Sequence, residues 1–188
     1  MKTVTYIGSH FGVSEDKLPK LKNILISLIE KGYNVFYCGD YGNFDSQVNS
    51  TLLHLKKEYP NVQMIKVKPY YSSNKFTSPQ AKALYQKEKQ EILDSYDGEQ
   101  LEQKLKYFEN DLAEDFYNSK YLHEKYFFDE VVVCDLDQYP PKARIIECNK
   151  WKVRNSDVLV AYCPHQYTNS DKIRTYAQKH NKTIIDVD

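Results

Sequence analysis

Short, continuous apolar runs alternate along this chain with segments whose apolar residues recur at helical spacing. That alternation constrains the fold more than any other feature. Thr3–Ile7, Val35–Cys38, Val62–Val67, Val131–Cys134, Val158–Cys163 and Thr183–Val187 read as strands. Runs this apolar belong to strands buried on both faces, as in parallel sheets covered by helices. Between them, Asp16–Lys31 carries Leu18, Leu21, Leu25, Leu28 and Ile29 on one helical face, with Gly32 as a stop. Phe44–Glu58, Ala143–Val153 and Thr168–His180 repeat the pattern. The expected fold is α/β: a Rossmann-like three-layer sandwich with a mostly parallel sheet.

One stretch breaks the alternation. Residues 75–130 form an insertion, within which Pro79–Lys125 reads as two helices parted by the turn Tyr96-Asp97-Gly98. The second helix sets Leu101, Leu105, Phe108, Leu112 and Phe116 on one face. The insertion is expected as a helical hairpin inside one domain spanning residues 1–188, either packing, a lid or an oligomer contact. It leaves the third strand at the edge where such sheets bind ligands.

Composition narrows the partners. In 188 residues, 41% hydrophobic and 14% aromatic content supplies a core and excludes disorder. The 26 basic and 26 acidic side chains sum to zero, which argues against nucleic acid and membrane surfaces. The sum hides two unlike parts, because residues 79–125 hold 11 acidic and 7 basic side chains and the remainder is positive. A mildly positive body suits a small phosphate-bearing molecule. No apolar run approaches the ~18 residues of a membrane span. With no apolar leader ahead of the first strand, the expected location is the cytoplasm. Four cysteines without a CxxC pair read as buried free thiols, so no metal and no cofactor is expected.

Candidate ligand-binding residues follow from the rule that open parallel sheets bind at the carboxyl ends of their strands. Gly8, Ser9 and His10 follow the first strand, and Gly39, Asp40, Gly42, Phe44 and Asp45 the second. Glycines there permit a tight turn, and the helix that follows offers unpaired N–H groups to an anion. Asp40 is either an acceptor for ribose hydroxyls or a turn former, and Asp45 either a ligand contact or a helix cap. Tyr70 follows the third strand as a stacking surface. His165 follows the fifth, and Thr168 and Ser170 open the last helix with hydroxyls suited to an anion. His10 and His165 are the acid–base candidates. No catalytic residue is assigned.

Two ordered blocks carry a family resemblance. Ile7-Gly8-Ser9-His10 followed by Gly32 through Asp45 resembles the opening of the SLOG superfamily (the SMF/DprA–LOG proteins), and of its YpsA-like branch in particular. Pro140 through Trp151, then Asn155-Ser156-Asp157 into Val158–Tyr162, is similar to that branch's second signature. The resemblance implies a Rossmann-like domain that binds a nucleotide or nucleotide-derived molecule in a sensor or regulatory role, with a homo-oligomer as partner. Departures are Asp40 in place of a glycine and Cys148 in place of the arginine of an Arg-Asn pair. Arg154 is the candidate to restore that cation. The alternative function is a hydrolase cleaving an N-glycosidic bond of a nucleotide or NAD-like substrate, using Asp40 or Asp45 with His10.

Overall fold

A computed structural model of the chain describes residues 1–69, 79–108, 128–134, 136 and 138–187. Six parallel strands form one sheet: β1 (Lys2–Gly8), β2 (Tyr33–Cys38), β3 (Gln63–Lys68), β4 (Glu130–Val133), β5 (Val158–Tyr162) and β6 (Thr183–Asp186), in the order β4-β3-β2-β1-β5-β6. Among the described residues six α-helices accompany them: α1 (Leu18–Glu30), α2 (Asn43–Leu55), α3 (Pro79–Ser95), α4 (Gly98–Phe108), α5 (Pro141–Arg154) and, before β6, α6 (Asn169–Lys179), so that with α3 and α4 set aside four helices serve the sheet. The α/β expectation holds, and among the described residues every strand pair is parallel rather than most.

Burial follows position in the sheet. Central β5 (VLVAY) is buried at all five positions, whereas β4 and β6 at the two edges are exposed or half-buried throughout. Alternate residues of β5 face two cores. Val158, Val160 and Tyr162 join Leu21, Leu25, Leu28 and Phe36 in one cluster. Leu159 and Ala161 join Val153, Ile173 and Ala177 in another. The first core lies under α1 and α2, the second under α5 and α6, which makes three layers. Each fully buried leucine, such as Leu25, contributes about 1.5–3 kcal/mol of transfer free energy. Local signals set the helix ends: α1 stops before Gly32, whose φ of 85° lies in the left-handed region a glycine adopts at least cost.

The order of strands fixes where a ligand can enter. The chain steps outward from β1 to β4, then returns to place β5 on the other side of β1. The connections after β1 and after β5 therefore diverge, and a crevice opens between Gly8 and Tyr162, which sit side by side in register.

By contacts the chain divides into two compact units, residues 1–70 with 128–188, and residues 71–127. Within the second, α3 and α4 meet at the expected turn, where Leu101 N–H donates to the Asp97 carbonyl at 3.1 Å and the Lys104 ammonium lies 5.4 Å from the Tyr96 ring centre. The continuation of the second helix through Leu112 and Phe116 lies outside the described residues.

Candidate functional site

A pocket of about 270 Å³ opens in that crevice. Ser9, His10 and Phe11 form one wall and Tyr162 to His165 another, and Thr168, Asn169 and Ser170 close it at the start of α6. Five sequence-derived candidates, Ser9, His10, His165, Thr168 and Ser170, are thus brought together. Gly8 joins them from below: its carbonyl accepts a hydrogen bond from Ser170 Oγ at 2.6 Å.

The sequence places α6 in an orientation suited to an anion. Thr168, extended at φ −74° and ψ 167°, caps the helix by accepting from the Asp171 N–H at 3.2 Å. The N–H groups of Asn169 and Ser170 donate no hydrogen bond among the described residues. They carry the partial positive charge of the helix start into the pocket. Asp171 opposes part of this field, although its carboxylate is engaged by the Tyr167 N–H at 2.8 Å.

The β2–α2 turn stands behind this pocket rather than in it. Both backbone groups of Gly39 are already used: its N–H donates to the Tyr6 hydroxyl at 3.2 Å, and its carbonyl accepts from Asn49 Nδ2 at 2.9 Å. Tyr6 and Asn49 are themselves hydrogen-bonded, completing a buried ring. A Cβ at Gly39 would stand 2.5 Å from Asp45 Oδ2 and 2.9 Å from Lys152 Nζ, so a side chain there would displace the Asp45 carboxylate and the Lys152 ammonium. Its N–H is therefore not the anion donor that the glycine turn suggests. Gly42 lies against the β1–α1 loop, where a Cβ would come within 3.1 Å of His10 Cα. The adjacent Asn43 N–H donates to the His10 carbonyl at 2.9 Å. Phe44 lies over Gly8 and stacks on Tyr162, with ring centres 6.0 Å apart. The turn thus shapes the pocket from outside.

Its carboxylates are committed as well. Asp40 pairs with Lys66 at 2.9 Å. Asp45 is buried and accepts from the Tyr41 N–H at 3.0 Å, so it braces the turn and does not cap α2 through its side chain. Burial pushes its carboxyl above the usual range, partly opposed by the Lys152 ammonium. The same burial pushes the Cys38 thiol up to about 12. Neither Asp40 nor Asp45 lines the pocket, so the carboxylate–His10 pairing that N-glycosidic hydrolysis needs is not assembled there.

Arg154 corrects the expectation made for it. Helix α5 runs back from β4, and its last residues lie where the strands begin: the Asn155 carbonyl accepts from Thr3 Oγ1 at 3.1 Å, and Arg154 itself donates to the Tyr176 hydroxyl at 3.3 Å. It stands at the opposite edge of the sheet from the pocket. Tyr70 lies outside the described residues.

Three residues were not singled out from sequence. The Lys17 ammonium does not line the pocket but lies 5.2 Å from the centre of the ring of Tyr162, which does. Phe11, a lining residue, is 80% exposed, and Tyr167, between His165 and Thr168, is 86% exposed. Tyr167 also holds a φ of 64°, a conformation that costs a bulky L residue about 1–2 kcal/mol. Large aromatics left in water, one of them strained, are the signal that a sequence lacks.

No family model and no curated protein matches the chain. Two solved structures of a candidate aldo-keto reductase from Pseudomonas aeruginosa are similar at 13% identity, covering 97% of this chain and 71% of theirs, with TM-scores of 0.28 and 0.29. At TM-scores below 0.5 that likeness bears on neither fold nor function.

Proposed function

We propose that the protein binds a nucleotide or nucleotide-derived small molecule in the crevice between β1 and β5, in a sensor or regulatory role of the SLOG type. The observation that carries this reading is the make-up of the pocket. Unpaired helix N–H groups of Asn169 and Ser170 lie at its α6 end, where the Thr168 and Ser170 hydroxyls already donate to the His165 and Gly8 carbonyls, and an exposed aromatic lines its rim. A phosphate fits the first, through charge and hydrogen bonds. A base fits the second, because stacking on an aromatic side chain contributes about 1–3 kcal/mol per base. At about 270 Å³ the pocket lies just below the usual range of ligand sites, which runs from about 300 Å³ upward. It suits a mononucleotide better than an enclosed dinucleotide.

Mass spectrometry of small molecules released when the purified protein is denatured tests the proposal. A phosphate-bearing nucleoside derivative is the expected find, and adding it back raises the melting temperature. A protein that releases none, and whose melting temperature is unmoved by mononucleotides and NAD at millimolar concentration, would overturn it.

A further inference from the structure

Cys134 and Cys148 meet on the face of the sheet covered by α5. Cys134 follows β4, and Cys148 lies midway along α5. Their sulfurs share a hydrogen bond at 3.8 Å, within an apolar cluster that includes Val67 and Leu136 and is flanked by Tyr139 and Trp151. Neither cysteine is in a disulfide. Only 14 positions of chain separate them.

We propose that Cys134 and Cys148 form a reversible dithiol–disulfide pair, a modification site for a small two-electron oxidant of the peroxide class. To bond, the sulfurs close from 3.8 Å to the ~2.05 Å of a disulfide, a movement that side-chain rotation and a slight shift of α5 supply. The Cys134 thiolate attacks one peroxide oxygen, the O–O bond breaks, and the leaving hydroxide takes a proton to become water. The resulting sulfenic acid is attacked by the Cys148 sulfur, which gives up its proton as the S–O bond breaks and a second water leaves. Two thiols are oxidised and one peroxide is reduced.

The surroundings assign the roles. The hydrogen bond shared between the two sulfurs holds the Cys134 thiol below its ordinary range, with the Lys152 and Arg154 charges acting in the same direction. Cys148 is pushed up by the same contact and by burial, which suits the resolving partner. Cys38, buried in a different cluster with its thiol raised, donates to the Phe36 carbonyl rather than to a sulfur. Exposures of 5% and 1% shield the pair from bulky reagents and leave it open to a peroxide-sized one through local opening.

Hydrogen peroxide treatment of the full chain, alkylation of remaining thiols after unfolding, and peptide mapping test this. The expected product is a Cys134–Cys148 linked peptide, lighter by two hydrogens and restored by dithiothreitol. In Cys148→Ser, Cys134 should instead carry added oxygen. Wild-type protein in which both cysteines remain alkylatable while Cys163 alone is oxidised would overturn the proposal. The result is independent of nucleotide binding, so either claim can fail without the other.

Discussion

Ser170 Oγ donates to the carbonyl of Gly8 at 2.6 Å, tying the start of α6 to the end of β1 across the crevice between β1 and β5. A residue 162 positions away in sequence thereby fixes the floor of the pocket. Everything proposed for this site depends on the helix start being held there with its N–H groups turned inward.

Gly8 should tolerate no side chain. A Cβ would lie 2.2 Å from Phe44 Cδ1 and 2.9 Å from Phe44 Cβ. Gly8→Ala should cost about 1–3 kcal/mol through overpacking, read as a lower urea midpoint. Combined with Phe44→Ala, its further cost should shrink, because the obstructing ring is gone.

Phe11, which lines the pocket, should matter to binding and not to folding. Phe11→Ala is expected to change stability by less than about 0.5 kcal/mol. Its affinity for a nucleotide should fall roughly 5-fold or more by calorimetry, in line with loss of a stacking contact. Tyr167→Asn should gain about 0.5 kcal/mol or more, since asparagine accepts the left-handed conformation better, yet bind no tighter.

Lys17 should act through charge. Lys17→Ala is expected to weaken a nucleoside monophosphate about 2- to 10-fold at low salt, with the difference closing as salt rises. Lys17→Arg should retain binding, and the unphosphorylated nucleoside should be indifferent to both.

Acid should expose the Arg174–Asp186 pair. Two hydrogen bonds, at 2.8 and 2.5 Å, hold the Asp186 carboxyl below its usual range. A carboxylate with a depressed folded pKa contributes stability above its unfolded value of about 3.9. That contribution is lost as pH falls through the lower folded value. Wild type should therefore melt higher than Asp186→Asn at pH 7, with the gap narrowing below about pH 4 in thermal melts.

How far the sequence discloses this protein depends on what each residue's neighbours are. Strands and helices are legible because their apolar periodicity is local, and the strand ends bring His10, His165, Thr168 and Ser170 to one pocket. Arg154 adjoins a motif in the sequence, but proximity along the chain does not bring it to the pocket. A crossover helix runs antiparallel to its strands, which sends its last turn to the far edge. Asp45 and Gly39 looked like ligand groups, since nothing local reveals that Tyr6, Asn49 and Lys152 occupy the space around them. Phe11 sits in an irregular segment with no periodicity, and Lys17 is one of several charged residues at the start of the Asp16–Lys31 helical pattern. Their value arises only when β5 brings Tyr162 alongside.

The most direct measurement of the central claim is an amide chemical-shift titration of the ¹⁵N-labelled full chain with AMP, adenosine and inorganic phosphate. AMP should move the amides of Asn169 and Ser170 together with those of Ser9 to Phe11. Phosphate alone should move chiefly the α6 pair. If mononucleotides at millimolar concentration leave these amides unmoved, or shift only residues at the opposite edge around Arg154, the crevice between β1 and β5 is not a nucleotide site.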